Sequence, residues 1–198
     1  MKPSDPRLER WLLALVSTPG LTSVRGLDDA RRVHVDESLA ALPLVERFGG
    51  PIVDVGSGGG APGIPLAAAL PGREVTLLES NGRKCDFLRE AAGDFPNVRV
   101  VQGRAEEQET DVFGVAVAKA LAQPPVALEW CLPLVREGGA AVLYVGPSAD
   151  LATLATVAEK LGGGTPEAAH GAVCVPKVVR TPAGFPRRPG IARKRPLA

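Results

Sequence analysis

Residues 51–65 read PIVDVGSGGGAPGIP, and the rest of the chain is organised around them. Ile52–Val55 is a short run rich in β-branched residues, the composition of a strand buried on both faces of a parallel sheet. An acid, Asp54, sits inside it. Gly56, Gly58, Gly59 and Gly60 then make a turn that accepts positive φ and lets a ligand approach the backbone closely, while Pro62 suits the first turn of a following helix. Strand, glycine turn and helix in that order form the first unit of a doubly wound sheet, whose ligands lie beyond the carboxyl ends of the strands. The stretch predicts a nucleotide-sized site in an α/β protein.

The glycine spacing alone leaves the ligand open. Gly56, Gly58 and Ala61 satisfy the dinucleotide fingerprint, whereas Gly56, Gly58 and Gly60 fit enzymes that use S-adenosylmethionine, and a ligand-free turn is a third reading. A second strand at 74–78, EVTLL, ends in Glu79, about twenty residues past the glycines, where a carboxylate can accept both hydroxyls of a ribose. Both cofactors want that acid. Two features favour the methyl donor: Asp54 lies just before the first glycine, where its charge could serve an ammonium group through water, and a long segment precedes the motif. A dinucleotide domain more often begins with its first strand.

The chain has 198 residues and reads as one domain, long enough to bury roughly 70% of the surface it exposes when unfolded. Residues 1–49 predict a helical cap, 50–170 a cofactor-binding core, and 171–198 C-terminal strands with a basic tail. Cys85, Cys131 and Cys174 stand far apart without a CxxC spacing, so neither zinc nor a disulfide framework is expected. The opening MKPSDPRLERWLLALV lacks a cleavage pattern, and no later stretch has the length of a membrane span, which points to a cytoplasmic protein. A monomer is the default. With a formal charge of only +1, attraction to nucleic acid has to come from local basic patches.

Taken in order, Pro6–Ser17 carries Leu8, Trp11, Leu12, Leu15 and Val16 at helical spacing, a docking helix. Two further helical pieces are expected at 28–32 and 37–48. His34 between them reads as a structural hydrogen-bonding residue with a minority claim to function, and Arg31 and Arg32 as an exposed basic face. After the glycine turn come a helix at 64–70, the second strand, a helix at 82–92, strands at 98–101 and 114–118, a helix at 122–135, a strand at 140–145 and a helix at 149–161. Ala105 and Glu106 follow the third strand and Lys119 the fourth, all on the rim of the glycine turn. The run AVCVPKVV at 172–179 predicts β structure at an edge or a bulge because of Pro176. The end concentrates Arg187, Arg188, Arg193, Lys194 and Arg195. It reads either as a solvated tail or as an arm contacting phosphates.

GLTSV, RRVHVDESLAAL, DVGSGGGAPGIPLA, LLESNGRKCDFL, GRAEE and FPRRPGIARKRPL together resemble the RsmG (GidB) methyltransferases, which modify N7 of a guanine in bacterial 16S ribosomal RNA. The resemblance runs through most of the chain. It implies a class I, Rossmann-like fold with a seven-stranded, mostly parallel sheet and one antiparallel strand. S-adenosylmethionine is the implied donor and the small ribosomal subunit or its precursor the implied partner. By the same resemblance, Gly56, Ser57, Gly58, Gly60 and Ala61 line the methionine part of the donor, Glu79 holds its ribose, and Ala105 and Glu106 flank its adenine. Lys119 stands between cofactor and incoming base, donating to guanine O6 or a nearby phosphate.

Four positions depart from the family pattern. Lys119 replaces an arginine, Val145 a lysine, Glu37 an aspartate and Gly20 an asparagine. An arginine presents a planar fork and a lysine a compact point charge, so the exchange at 119 bears on how the base is held. These departures set two alternatives beside the main reading: a methyltransferase for another RNA or a small molecule, and a ribosome-binding module that keeps the fold without catalysis.

Overall fold

In a computed structural model of the protein, residues 5–146 and 149–198 are described; the opening Met1–Ser4 lies outside them. Seven strands form one sheet: β1 Ile52–Val55, β2 Val75–Glu79, β3 Val98–Gln102, β4 Phe113–Lys119, β5 Val135–Tyr144, β6 Glu167–Ala169 and β7 Ala172–Pro176. Their order is β3-β2-β1-β4-β5-β7-β6. The first five run parallel, and β7 is antiparallel to both β5 and β6. The chain leaves β1 towards β2 and β3, then returns to start β4 on the other side. This reversal opens a crevice between the carboxyl ends of β1 and β4, where open α/β sheets bind ligands.

The central strands are apolar because helices cover both faces. β1 and β2 are buried along their whole length, and β4 is buried from Phe113 to Ala118. β3, at the edge, is half exposed. One face packs against α7 (Pro124–Cys131), α8 (Leu151–Lys160) and the short α9 (Ile191–Lys194). The other face packs against α1 (Pro6–Ser17), α5 (Gly63–Ala69) and α6 (Gly82–Ala91). Asp5 caps α1, its Oδ1 accepting the Arg7 N–H at 2.9 Å, and Pro6 fills the first turn where no donor is needed. Leu8, Trp11, Leu12 and Leu15 are all buried, as the spacing predicts, and Val16 packs at their margin.

Three elements differ from the sequence expectation. Between the two cap pieces the chain does not break: α2 (Leu27–Ala30) runs into a π-helical turn at Arg31–Asp36, then α3 (Glu37–Ala40) and α4 (Leu42–Glu46). β5 starts at Val135, where a helix was expected to end. Gly138 turns the strand with a positive φ of 78° where the register against β4 shifts, and Gly139 lies against the backbone of Gly114 so closely that a Cβ could not fit. β6 was not foreseen at all, a three-residue strand with little apolar signal. It pairs with β7 across a two-residue turn at 170–171, so Pro176 lies at the end of a strand inside the sheet, beyond the part that β6 covers.

Candidate active site

Two hollows lie along the rim of the crevice and meet at Gly56. The first, about 280 Å³, is walled by Val55, Leu78, Ala105, Glu106, Leu121 and Trp130, and closed from outside by Gly190 and Arg193. The second, about 270 Å³, is walled by Ser57, Gly58, Ala61, His34, Lys84 and Lys119. The first mixes apolar walls, Leu78, Leu121 and Trp130, with the charged Arg104, Glu106 and Arg193. The other is lined by backbone and cations.

The glycine turn does two jobs. Gly58 (φ 57°) faces the second hollow, and a Cβ built on it would meet nothing nearer than the Gly56 carbonyl oxygen at 3.8 Å, so the missing side chain is open space. Gly59 also borders that hollow, but its Cα turns towards α1. A Cβ there would collide with Leu15, and its carbonyl accepts the Trp11 indole N–H at 2.8 Å. Gly60 is buried against Ile64 and Trp11, and lies off the walls of both hollows. The Ser57 side chain is also turned inward, donating to the Asp54 carbonyl at 2.8 Å.

Asp54 is 1% exposed, and its Oδ2 accepts the Gly63 N–H at 3.0 Å. It therefore fastens the start of α5 to β1 and does not face the crevice, which corrects the expectation of a charge serving an ammonium group. Burial pushes its pKa up to about 7, against the opposing pull of the Gly63 and Ser57 hydrogen bonds. Glu79 is 7% exposed. Its Oε2 accepts from Gly58 N at 3.0 Å and its Oε1 from Asn81 N at 2.8 Å, so it braces the turn while each oxygen retains acceptor capacity.

Lys119 reaches across to the cap. Its Nζ donates to the Val33 carbonyl in the π-helical turn and to Glu37 Oε2 at 2.9 Å, and only 16% of its side chain is exposed. A lysine tip, which lacks the fork of an arginine, thus meets a glutamate of the cap. Tyr144 adds a second tie to the cap, donating to the Ser38 carbonyl at 2.7 Å. His34 Nε2 lies 2.9 Å from Thr22 Oγ1, and burial together with the Lys119 charge lowers its pKa, keeping the ring neutral at pH 7.

Several of the basic residues are engaged within the protein. Arg31 pairs with Glu9, and Arg32 with Asp29 at 2.9 Å. Arg187 makes a two-pronged ion pair with Glu129, 2.5 Å at each prong, and Arg193 lies with its guanidinium carbon 5.1 Å from the centre of the Trp130 ring. Sequence reasoning missed Trp130, Leu121, Gly190 and Arg193 as walls of the first hollow. No local signal marks them, because the segments meet only after folding.

These residues suit S-adenosylmethionine. The first hollow, with Trp130 and Leu121 for a ring and polar groups around them, matches a purine nucleoside; Glu79 stands behind the turn, bonded to Gly58 N, and the backbone-lined hollow matches an amino-acid tail. The Trp130 indole N–H, nine-tenths buried in the first hollow's wall, has no hydrogen-bond partner among the described residues, an open valence beside the crevice.

Comparison with known proteins agrees with this geometry. The chain is 34% identical to the ribosomal RNA small subunit methyltransferase G of Moorella thermoacetica, over 89% of this chain and 82% of that one. To the protein of the same name from Rubrobacter xylanophilus it is 39% identical, over 83% and 72%. Among solved structures, an S-adenosylmethionine-dependent O-methyltransferase of Thermotoga maritima superimposes with a TM-score of 0.56 at 18% identity, covering 83% of this chain and 73% of that one. A T. thermophilus 16S rRNA N2 methyltransferase, solved with AdoMet and guanosine, gives 0.55 at 17% identity over 77% and 41%. Both likenesses show the class I methyltransferase fold. The GidB family, described as rRNA small subunit methyltransferase G, matches residues 7–160, and the chain belongs to it.

Proposed function

We propose that the protein transfers the methyl group of S-adenosylmethionine to N7 of a guanine in 16S ribosomal RNA. The observation that carries the reading, beside family membership, is the composition of the second hollow. Among the described residues its ionisable side chains are His34, Lys84 and Lys119, and no carboxylate lines it. Guanine N7 already holds an in-plane lone pair and needs no base to become a nucleophile, so a site without a carboxylate suits it.

The donor supplies a methyl group activated by a sulfonium sulfur. What the chain supplies is placement. Holding the reacting atoms in line is worth several kcal/mol when the partners are rigid. Gly58 leaves room at the turn, Glu79 braces it and offers its remaining acceptor capacity to the ribose, and Ala105 and Glu106 stand beside the adenine. Gly56, Ser57 and Ala61 line the crevice with backbone, and Gly60 acts behind it by seating α1. Lys119 fixes the cap over the second hollow, and its third N–H serves guanine O6 or an adjacent phosphate. The guanine enters unstacked, at a cost of a few kcal/mol offset by contacts in the hollow.

Mass analysis of 16S ribosomal RNA from cells with and without the gene tests this. Loss of one 7-methylguanosine on deletion is expected. An unchanged complement of that nucleoside would overturn the assignment.

A further inference from the structure

The C-terminal segment reaches the rim in a way that the reaction as described does not use. Its base is anchored by Arg187, whose Nε and Nη2 pair with Glu129, a carboxylate only 3% exposed, and whose Nη2 also donates to the Arg195 carbonyl at 2.8 Å. Between these ties the chain turns at Gly190 (φ 82°), whose N–H donates to Glu106 Oε1 at 3.2 Å. Arg193 then lies over Trp130. Gly190 and Arg193 both form the outer wall of the first hollow, opposite Ala105 and Leu121.

We propose that this segment belongs to the methyl donor's site, with Arg193 contacting the adenine of S-adenosylmethionine, and that it is not an RNA-gripping tail at this position. The inference rests on the methyl-transfer reading above. A guanidinium is planar and weakly hydrated, and it stacks on aromatic faces, on a purine as on an indole. Here it is held beside a purine-sized space by a buried ion pair on one side and a hydrogen bond to the β3 rim on the other. Glu106 thereby has a role the sequence did not suggest: it latches the wall to the site it borders. Arg193 is exposed to solvent, and the latch is one hydrogen bond, so the wall can part at Gly190 to admit the nucleoside and remain anchored at Arg187.

Calorimetric titration with S-adenosylhomocysteine, using the full chain, tests the assignment. Arg193→Ala is expected to weaken binding about fivefold, the size of a partly desolvated cation–π contact, with an unchanged unfolding midpoint. The neighbouring exposed Lys194→Ala should bind as the wild type does. Saturating S-adenosylhomocysteine should also slow tryptic cleavage after Arg193 in the wild-type protein by at least about threefold, since a ligand stabilises the state it binds. Unaltered affinity in Arg193→Ala, or cleavage indifferent to the ligand, overturns the proposal while leaving methyl transfer intact. Wild-type protein that binds no S-adenosylhomocysteine at millimolar concentration takes down the donor reading and this wall with it.

Discussion

Both ends of the chain come to the same rim, and different forces hold them there. The amino-terminal helix α1 lays Leu8, Trp11, Leu12 and Leu15 on the sheet face, with one indole hydrogen bond to Gly59 to set its height. The carboxyl-terminal segment brings charge. Arg187 is buried against Glu129, Arg193 lies on Trp130, and upstream Lys177, 1% exposed, donates to the carbonyls of Leu132 and Leu161 and to Thr181. Apolar packing tolerates small shifts, whereas a buried ion pair fixes one geometry and is costly when half of it is lost. The cap is therefore a stable lid on the turn, and the tail is a strap whose position depends on a few named contacts.

The comparison breaks first at its apolar end. Leu15→Ala removes a fully buried side chain from between α1 and Gly59 and is expected to destabilise the fold by about 2–5 kcal/mol in denaturant unfolding. Next comes the charged end. Arg187→Ala leaves the Glu129 carboxylate buried without its partner, which should cost about 2–4 kcal/mol, below the range for a fully buried pair because Arg187 is 22% exposed. Glu129→Gln should cost less, since the Arg187 guanidinium, 22% exposed, can turn to water. Equal losses in the two variants would contradict the account of the strap.

The turn on which both ends lean has its own titration. Asp54 has a folded pKa of about 7 against an ordinary 3.8, so the stability it contributes is full below about 3.8 and is lost as pH rises through 7. Asp54→Asn keeps an acceptor for the Gly63 N–H and removes the charge. Relative to that variant, the wild type should lose about 3 kcal/mol of unfolding free energy between about pH 5 and pH 8. A flat difference would remove the buried-acid account.

Smaller effects sharpen the comparison at the cap. Glu37→Asp and Lys119→Arg should each slow methylation of small subunits about tenfold by shifting the cap over the second hollow, and the double variant should recover most of the loss, because the two residues touch. Additive losses would deny the coupling. The smallest change is expected from Arg10→Ala, which removes an exposed pair with Asp94 at 2.9 Å and should alter stability by less than about 0.5 kcal/mol.

What was legible in the sequence follows the range of the forces. The β1 strand, its turn and α5 are local, and the pattern of Ile52–Val55 and the glycines found them. The α1 stripe was equally readable, because helical periodicity is a local signal. The partners of the cations are not local. Arg187 finds Glu129 across 58 residues and Lys119 finds Glu37 across 82, so composition shows a basic tail without showing which of its charges folding would neutralise. The start of β5 is hidden because two glycines read as a helix end, whereas here Gly138 takes a positive φ and Gly139 lets the strand pass close to Gly114. β6 carried too few apolar residues to be seen.

The most direct test of the central claim is to incubate purified protein with small ribosomal subunits from a strain lacking this gene and methyl-labelled S-adenosylmethionine, then digest the RNA and locate the label. The account predicts label in 7-methylguanosine at a single position of 16S ribosomal RNA. Label in another nucleoside, or none in RNA while the wild-type protein binds the donor, would contradict it.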